Sequence, residues 1–179
     1  MGRVATYYTR PMSPPWSRSL EVDRLADGGA DVDFAVPLAE LSGLRSMRAS
    51  VTGSVQGRVH FGREAGVPVA ELTMRGSATL QCQRCMQPLE LPIDTAARVG
   101  LVGSEAEVAR VPADLEPMLA PGGRISVGEL VTEEMSLLLP IVPLHGADEK
   151  CAAAPAAAQE RADEATHKPF AQLGELLKR

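Results

Sequence analysis

Two long runs of alternating apolar and polar residues, joined by a short connection, constrain the fold of this chain most strongly. In both runs, residues 69–82 and residues 89–101, nearly every second residue is apolar. A period of two is typical of a strand that buries one face. Because the connection CQRCMQP at residues 82–88 is short, the sequence predicts that the two runs pair as an antiparallel hairpin.

Two shorter runs and one helical segment complete the predicted fold. Residues 31–38 and 51–61 also alternate, and Gly53 and Gly57 share the apolar parity of the second run, which predicts a close neighbour or a bulge. Ser126-Val127-Gly128-Glu129 fits a capping box, apolar residues follow at helical spacing, and Pro140 ends the helix. We therefore predict an α+β fold. Its curved, mainly antiparallel β-sheet has about five strands, and one main packed helix covers about residues 127–139.

The two ends of the chain lack the periodicity of its centre. Residues 1–30 are broken by proline and glycine and predict an irregular N-terminal arm, which leaves residues 31–145 as a single α+β domain. Residues 146–179 predict a linker or mobile Ala-rich tail that ends in a short docking segment. In PFAQLGELLKR the apolar residues stand at helical offsets: Phe170, Leu173, Leu176 and Leu177. Within the domain, residues 103–116 are acidic and predict an exposed loop.

The sequence predicts a cytoplasmic protein. The first twenty residues are polar, carry arginine and are interrupted by proline, unlike a secretory signal. No apolar run approaches the roughly 18 residues that a membrane helix needs. The chain contains 3 cysteines. An odd number does not suggest a disulfide framework, and a reducing compartment leaves a C-x-x-C pair reduced or bound to metal.

Charges are distributed unevenly along the chain. The net charge of −5 argues against broad non-specific binding to nucleic acid, which requires many cations. However, residues 41–88 contain six arginines and two acids, whereas residues 101–165 contain twelve acids and four bases. Arginine suits phosphate groups and base edges better than lysine does. Arg58, Arg75 and Arg84 are therefore predicted contacts with RNA or a partner protein; the alternative is that they are solvated charges on strand faces.

Cys82 and Cys85 are spaced as one half of a zinc site. Zinc takes four ligands at tetrahedral geometry, usually thiolate sulfur or imidazole nitrogen. His145 and Cys151 follow the predicted helix and complete our candidate set. The remaining histidines are His60 and His167. The gap between His145 and Cys151 is wider than usual and no glycine follows Cys85, so a free dithiol, or one that pairs with Cys151, stays an alternative.

Catalytic chemistry finds little support in the sequence. A thioredoxin-like C-x-x-C stands at a helix N-terminus, whereas the residues after Pro88 predict a strand. The chain has no Gly-rich phosphate loop, H-E-x-x-H or G-x-S-x-G motif. Glu133 and Glu134 are adjacent on the predicted helix, where neighbouring side chains point about 100° apart. A nuclease would need clustered carboxylates, so we predict that the protein is not an enzyme.

Five pieces of the sequence, taken in order, resemble one family. They are the CQRCMQP hairpin, an acidic loop, ELVTEEMSLLLPIVPLH, a cysteine a few residues later, and PFAQL. Together they resemble the bacterial YceD family, the large ribosomal RNA subunit accumulation proteins. The likeness runs from about Pro11 to the C-terminus. It is most specific over Leu80–Pro88, Leu130–His145 and Pro169–Leu173.

The resemblance implies a function that the residues alone do not. It implies a non-catalytic role in the synthesis, processing or stability of large-subunit (23S) ribosomal RNA. The implied partner is that RNA, its precursor or a ribosomal protein, and neither DNA nor a membrane. Some relatives carry further cysteines after the helix that could complete a four-sulfur zinc site, whereas this chain has His145 and Cys151 there. The alternative function is a small zinc-binding or protein-only adaptor without direct RNA contact.

Overall fold

The computed structural model describes residues 14–47, 51–146 and 151, and its centre is a five-stranded sheet in the order β2-β3-β4-β5-β6. The strands are β2 Asp31–Pro37, β3 Thr52–Glu64, β4 Val67–Gln81, β5 Pro88–Val102 and β6 Glu116–Leu119. Neighbouring strands are antiparallel, except that β5 and β6 are parallel. The predicted fold class is confirmed: a mainly antiparallel sheet of about five strands with a main packed helix.

The remaining elements lie around this sheet. In the described part of the chain the α-helices are α1 Val22–Gly28, α2 Ser42–Met47 and α3 Val127–Leu138. A small second sheet pairs β1 Leu20–Glu21 with β7 Arg124–Ile125. Short 3-10 segments are Pro15–Ser17, Leu38–Glu40, Glu105–Arg110 and Pro121–Gly123. Within residues 14–47, 51–146 and 151, no helix has the length and apolar character of a membrane-spanning segment.

Strands β4 and β5 form the long hairpin that the alternating sequence predicts. They pair from Val69 opposite Gly100 to Gln81 opposite Pro88. The apolar parity of β4 faces the core, where Leu72, Met74 and Leu80 are buried. Residues 82–87 are left as the connecting loop, which places both cysteines of the C-x-x-C pair at the far end of the hairpin.

Helix α3 covers the core face of the sheet and begins at the predicted cap. The Ser126 hydroxyl accepts a hydrogen bond from the Glu129 N–H at 3.2 Å, and the Glu129 carboxylate accepts one from the Ser126 N–H at 2.7 Å. These bonds satisfy two donors that a helix N-terminus leaves unpaired. The helix buries Val131 and Met135 completely, so its apolar stripe supplies one wall of the core.

Glycines permit a close approach between β3 and β4. A Cβ atom at Gly57 would collide with the carbonyl oxygen of Thr73, and one at Gly53 would collide with the carbonyl oxygen of Ser77. On the facing strand, a Cβ at Gly76 would meet the Ser54 carbonyl. The close neighbour predicted for Gly53 and Gly57 is therefore confirmed, because the backbone of β4 occupies the space that a side chain would need.

Two segments that we predicted as irregular contain regular structure. Within residues 1–30, α1 buries Val22 and Ala26 against the sheet. Within the predicted acidic loop, residues 105–110 form a 3-10 helix and β6 begins at Glu116. Both predictions were too simple because such short elements carry little periodicity and depend on tertiary packing for their stability.

Several predictions fall outside the described residues. They concern residues 1–13, the tail from residue 152 onward, the docking segment and the Pro169–Leu173 part of the family likeness. Of the tail, only Gly146 and Cys151 belong to the described part of the chain. The proposed division into an arm, a domain from 31 to 145 and a tail stays a prediction.

The close approach at Gly57 gives a test of the sheet. We expect Gly57→Ala to lower the free energy of unfolding by about 1–3 kcal/mol, because the added methyl group overpacks the β3–β4 contact. Gly62→Ala is the matched control on the same strand, since the nearest atom to its Cβ would lie 3.8 Å away. Denaturant unfolding measures both variants, and equal effects from the two substitutions would contradict this account of the close approach at Gly57.

Candidate metal centre

The hairpin loop fixes the two cysteines of the C-x-x-C pair through its own backbone. The Cys82 N–H donates to the Gln87 carbonyl at 3.0 Å, and the Met86 N–H donates to the Cys82 carbonyl at 2.9 Å. The Gln81 side-chain amide donates to the Met86 carbonyl at 3.2 Å. Cys82 is completely buried and Cys85 is half-buried. Hydrogen bonds within residues 81–87 therefore hold both thiols close together without help from other segments of the chain.

The chain after α3 crosses the hairpin loop and brings the other two candidates to it. The Gln83 N–H donates to the Pro143 carbonyl at 2.9 Å, which joins the loop to residues 140–146. Cys85 Sγ lies 3.4 Å from His145 Nδ1, and Cys82 Sγ lies 3.8 Å from Cys151 Sγ. The ligand atoms of all four residues lie within 4.8 Å of one another. The structure thus brings together the whole predicted set.

These distances fit a tetrahedral zinc ion. Ligands at the usual zinc–sulfur and zinc–nitrogen bond lengths stand about 3.8 Å apart for two sulfurs and about 3.6 Å apart for sulfur and nitrogen. The Cys82–Cys151 separation is 3.8 Å and the Cys85–His145 separation is 3.4 Å. Three thiolates and one imidazole form a common structural zinc set. Cys82, Cys85, His145 and Cys151 would therefore hold the ion.

The imidazole of His145 is oriented as a ligand. Its Nε2 lies 3.1 Å from the Pro88 carbonyl oxygen, an acceptor, so Nε2 carries the proton and donates. The other ring nitrogen, Nδ1, then has its lone pair directed at the cysteine cluster. Metal-binding histidines usually fix their tautomer by donating their second N–H to a carbonyl or a carboxylate. Pro88 was not among our predicted site residues, because no sequence pattern marks a carbonyl that orients a ring.

Backbone N–H groups prepare Cys82 to act as a thiolate. Burial by itself raises the pKa of the Cys82 thiol, but hydrogen bonds from the backbone of Cys85, His145 and Arg84 outweigh it and lower that pKa to about 5. A sulfur that accepts several N–H groups is stabilised in its charged form. The thiolate is the form of cysteine that binds metal.

A second negative charge in the cluster is unfavourable without a cation. Burial, together with the neighbouring thiols of Cys85 and Cys82, raises the pKa of Cys151 to about 11. The hydrogen bond with Cys82 is the main cause that raises the pKa of His145, against the opposing effect of burial. A bound divalent ion reverses this balance, since its charge offsets the repulsion between thiolates. The electrostatics of the cluster therefore favour a cation at its centre.

Met86, directly after the second cysteine, adopts the backbone conformation of a glycine. Its φ is 63°, in the left-handed region that non-glycine residues rarely enter. Its side chain is 60% exposed and so gains little from packing. The missing glycine after Cys85 counted against zinc in the sequence. The structure shows that the loop takes the required turn with methionine in that place.

The three predicted arginine contacts are placed differently from one another. Arg58 Nε donates to the Asp33 carboxylate at 2.7 Å, and Arg75 Nε donates to the Asp94 carboxylate at 3.1 Å. Both pairs lie on the outer face of the sheet and are exposed. Arg84 lies in the hairpin loop between the two thiols and is exposed; it makes no ion pair within residues 14–47, 51–146 and 151.

Counting charge along the sequence overstated the basic character of residues 41–88. Arg63 of that segment pairs with Asp23 and Asp27, at 2.9 and 2.7 Å. Tertiary packing places helix α1 and strands β2 and β5 beside this segment, so their acids neutralise its arginines. His60 is similarly paired with Asp31 on the outer face, at 2.9 Å, and does not belong to the cysteine cluster. His167 lies outside the described residues.

The match to a protein-family model agrees with the resemblance of the motifs. The model described as large ribosomal RNA subunit accumulation protein YceD matches residues 70–177. The match contains the hairpin, α3 and all four cluster residues. It does not cover the earlier residues, from about Pro11, over which we expected the likeness to begin. No solved structure matches the chain.

The cluster predicts the metal content of the protein. We expect about one equivalent of zinc in protein that is purified without a chelator or a histidine tag, because four oriented donors complete a structural site. Cys85→Ser and His145→Ala should each lose most of this zinc. Elemental analysis measures the content, with Arg75→Ala as a control that leaves the cluster intact. A zinc content of less than about a tenth of an equivalent in the unmodified protein would contradict the zinc site.

The backbone of Met86 predicts a stabilising substitution. We expect Met86→Gly to raise the free energy of unfolding by about 0.5–1 kcal/mol, since the left-handed conformation costs other residues roughly 1–2 kcal/mol and glycine recovers part of that. Gln87→Gly is the matched control, because Gln87 has no positive φ and a glycine there adds only entropy to the unfolded chain. Equal destabilisation of the two variants would contradict the strain that we ascribe to the left-handed conformation of Met86.

Proposed function

Since the chain belongs to the YceD family of large ribosomal RNA subunit accumulation proteins, we propose that it is a non-catalytic factor in large-subunit biogenesis. It acts in the cytoplasm, in the synthesis, processing or stability of the 23S ribosomal RNA. In this proposal the zinc cluster is structural and holds the hairpin loop in shape. The loop presents Arg84 to the RNA or to its precursor.

The observation that carries this proposal is the position of Arg84 within the cluster. It stands between Cys82 and Cys85, and its backbone N–H is one of the donors to the Cys82 sulfur. A metal at the four ligands would therefore fix the backbone from which this side chain projects. Fixing the backbone reduces the conformational entropy that binding would otherwise cost.

Arg84 is also the best placed of the three predicted contacts electrostatically. Arg58 and Arg75 already have carboxylate partners at 2.7 and 3.1 Å. Exposed ion pairs are worth only about 0.2–1 kcal/mol, so RNA phosphate could displace those carboxylates, but it would have to compete with them. Arg84 offers its guanidinium without that competition from the described residues, and guanidinium binds phosphate in a bidentate way.

The chemistry of the cluster supports a non-catalytic role. Structural zinc sites have four protein ligands, whereas catalytic sites keep one position for water or substrate. Here four side chains would supply all four donors. The adjacent acids of α3 do not form a metal-binding pair: Glu133 is exposed, and Glu134 accepts a hydrogen bond from Thr95 at 3.0 Å.

A protein-only adaptor is the second candidate, and one observation favours it. Apolar side chains near the cluster are exposed, with Met86 at 60%, Ile141 at 86% and Val142 at 52%. Exposed apolar patches commonly mark surfaces that contact other proteins. Such an adaptor would bind a ribosomal protein through the same end of the hairpin and would not contact RNA.

Binding of large-subunit RNA by the purified protein tests the proposal. We expect Arg84→Ala to weaken binding about tenfold and to reduce the slope of log affinity against log salt by about 0.7–0.9, the value of one phosphate contact. Arg75→Ala is the matched control, because that arginine is exposed and already paired; its effect should be much smaller. Zinc content is measured in each variant, so that loss of the cluster is not mistaken for loss of a contact.

Crosslinking in cells separates the two candidates. The RNA-binding factor should yield crosslinks to large-subunit RNA that fall in Arg84→Ala. Recovery of ribosomal proteins without RNA crosslinks would instead establish the adaptor. Cleavage of precursor RNA by the purified protein with magnesium, lost on a carboxylate substitution, would overturn the non-catalytic role.

A further inference from the structure

A narrow cleft lies between α3 and the edge of the sheet where β5 and β6 run parallel. Its volume is about 80 Å³. Most of its wall is apolar, from Leu72, Ala97, Val99, Pro117, Met118, Leu130 and Leu137. Small-molecule pockets usually measure about 300–1,000 Å³. The cleft is thus suited to a single anchoring side chain rather than to a metabolite.

The mouth of the cleft combines an exposed leucine with three acids. Leu137 lies at the rim with 71% of its surface exposed, although it sits on the main packed helix. The acids on the lining are Glu116, Glu133 and Glu134. Among the described residues, no lysine or arginine lines the cleft. An apolar slot with an acidic rim fits an amphipathic segment that carries both apolar residues and basic residues.

The C-terminal segment of this chain has that composition. In residues 168–179 the apolar residues stand at helical offsets: Phe170, Leu173, Leu176 and Leu177. The segment also carries three bases, Lys168, Lys178 and Arg179, against one acid, Glu175. A segment this short cannot bury an apolar stripe by itself, so the stripe needs another surface to pack against.

We propose that residues 169–179 dock in cis on this cleft as a short amphipathic helix, with Phe170 or Leu173 as the anchor and the basic residues against the glutamates. The chain between Cys151 and this segment, which we call the tether, is long enough for this docking. Cys151 belongs to the cluster with Cys82, Cys85 and His145, and 18 residues separate it from Phe170. A chain of that length reaches at most about 60 Å, more than the width of a domain of this size.

The tether also favours this occupant over a second molecule. A linker of this length keeps its segment at an effective concentration in the millimolar range. The docked segment would cover Leu137, which the described residues leave exposed.

Hydrogen exchange of the purified full chain tests the docking. We expect the amides of residues 170–177 to be protected at least about tenfold over unstructured chain, and this protection to be independent of protein concentration. Leu137→Glu should abolish it, and the exposed position of Leu137 keeps the fold intact. Glu133→Lys should reduce it, whereas Glu105→Lys, an exposed acid outside the cleft, is the matched control and should not.

Three results would overturn the proposal. Amides 170–177 that exchange as unstructured chain would show that nothing docks. Protection that persists in Leu137→Glu would place the segment elsewhere. Protection that rises with protein concentration, or that appears only when a ribosomal protein or RNA is added, would make the occupant another molecule. None of these measurements uses RNA-binding activity, so the docking can fail while the proposed function stands.

Discussion

The register of β4 against β5 is the constraint on which the rest of the structure depends. From Val69 opposite Gly100 to Gln81 opposite Pro88, it turns one parity of both strands toward α3 and the other toward solvent. A slip of one residue would exchange the two faces along the whole hairpin. The same register ends at the loop of residues 82–87, so the pairing that forms the core also decides where Cys82 and Cys85 lie.

The cysteine cluster connects parts of the chain that the sheet alone would leave apart. Cys82 and Cys85 belong to the hairpin, whereas His145 and Cys151 follow α3. Backbone carbonyls join the two parts: the Gln83 N–H donates to the Pro143 carbonyl, and the His145 ring donates to the Pro88 carbonyl. A metal at the four donors would cross-link the hairpin loop to His145 and Cys151, and so close the long stretch of chain between them. Cross-links that close long loops remove the most entropy from the unfolded chain. The metal would thereby join the hairpin loop to the segment that leads toward the tail.

Local patterns account for the parts of the fold that sequence could predict. The strands of the sheet's centre follow from period-two alternation, and α3 follows from a capping box and a stopping proline, which are short-range features. Helix α1 and strand β6 are too short to show a period, so tertiary contacts decide them. The candidate ligands could be named from residue type. Their convergence could not, because it depends on how residues 140–146 cross the loop.

The sequence by itself determined the hairpin, the main helix, the candidate donors and the family likeness, since each rests on residue order within a short window. Tertiary structure alone decided which charges are neutralised: Arg58 and Arg75 meet Asp33 and Asp94 from neighbouring strands, and Arg84 meets no described acid. It also decided that the cysteines and His145 lie within 4.8 Å of one another. The physical reason is the same for the ion pairs and for the cluster. Coulomb attraction and metal coordination depend on distances in space, which residue order along the chain does not specify.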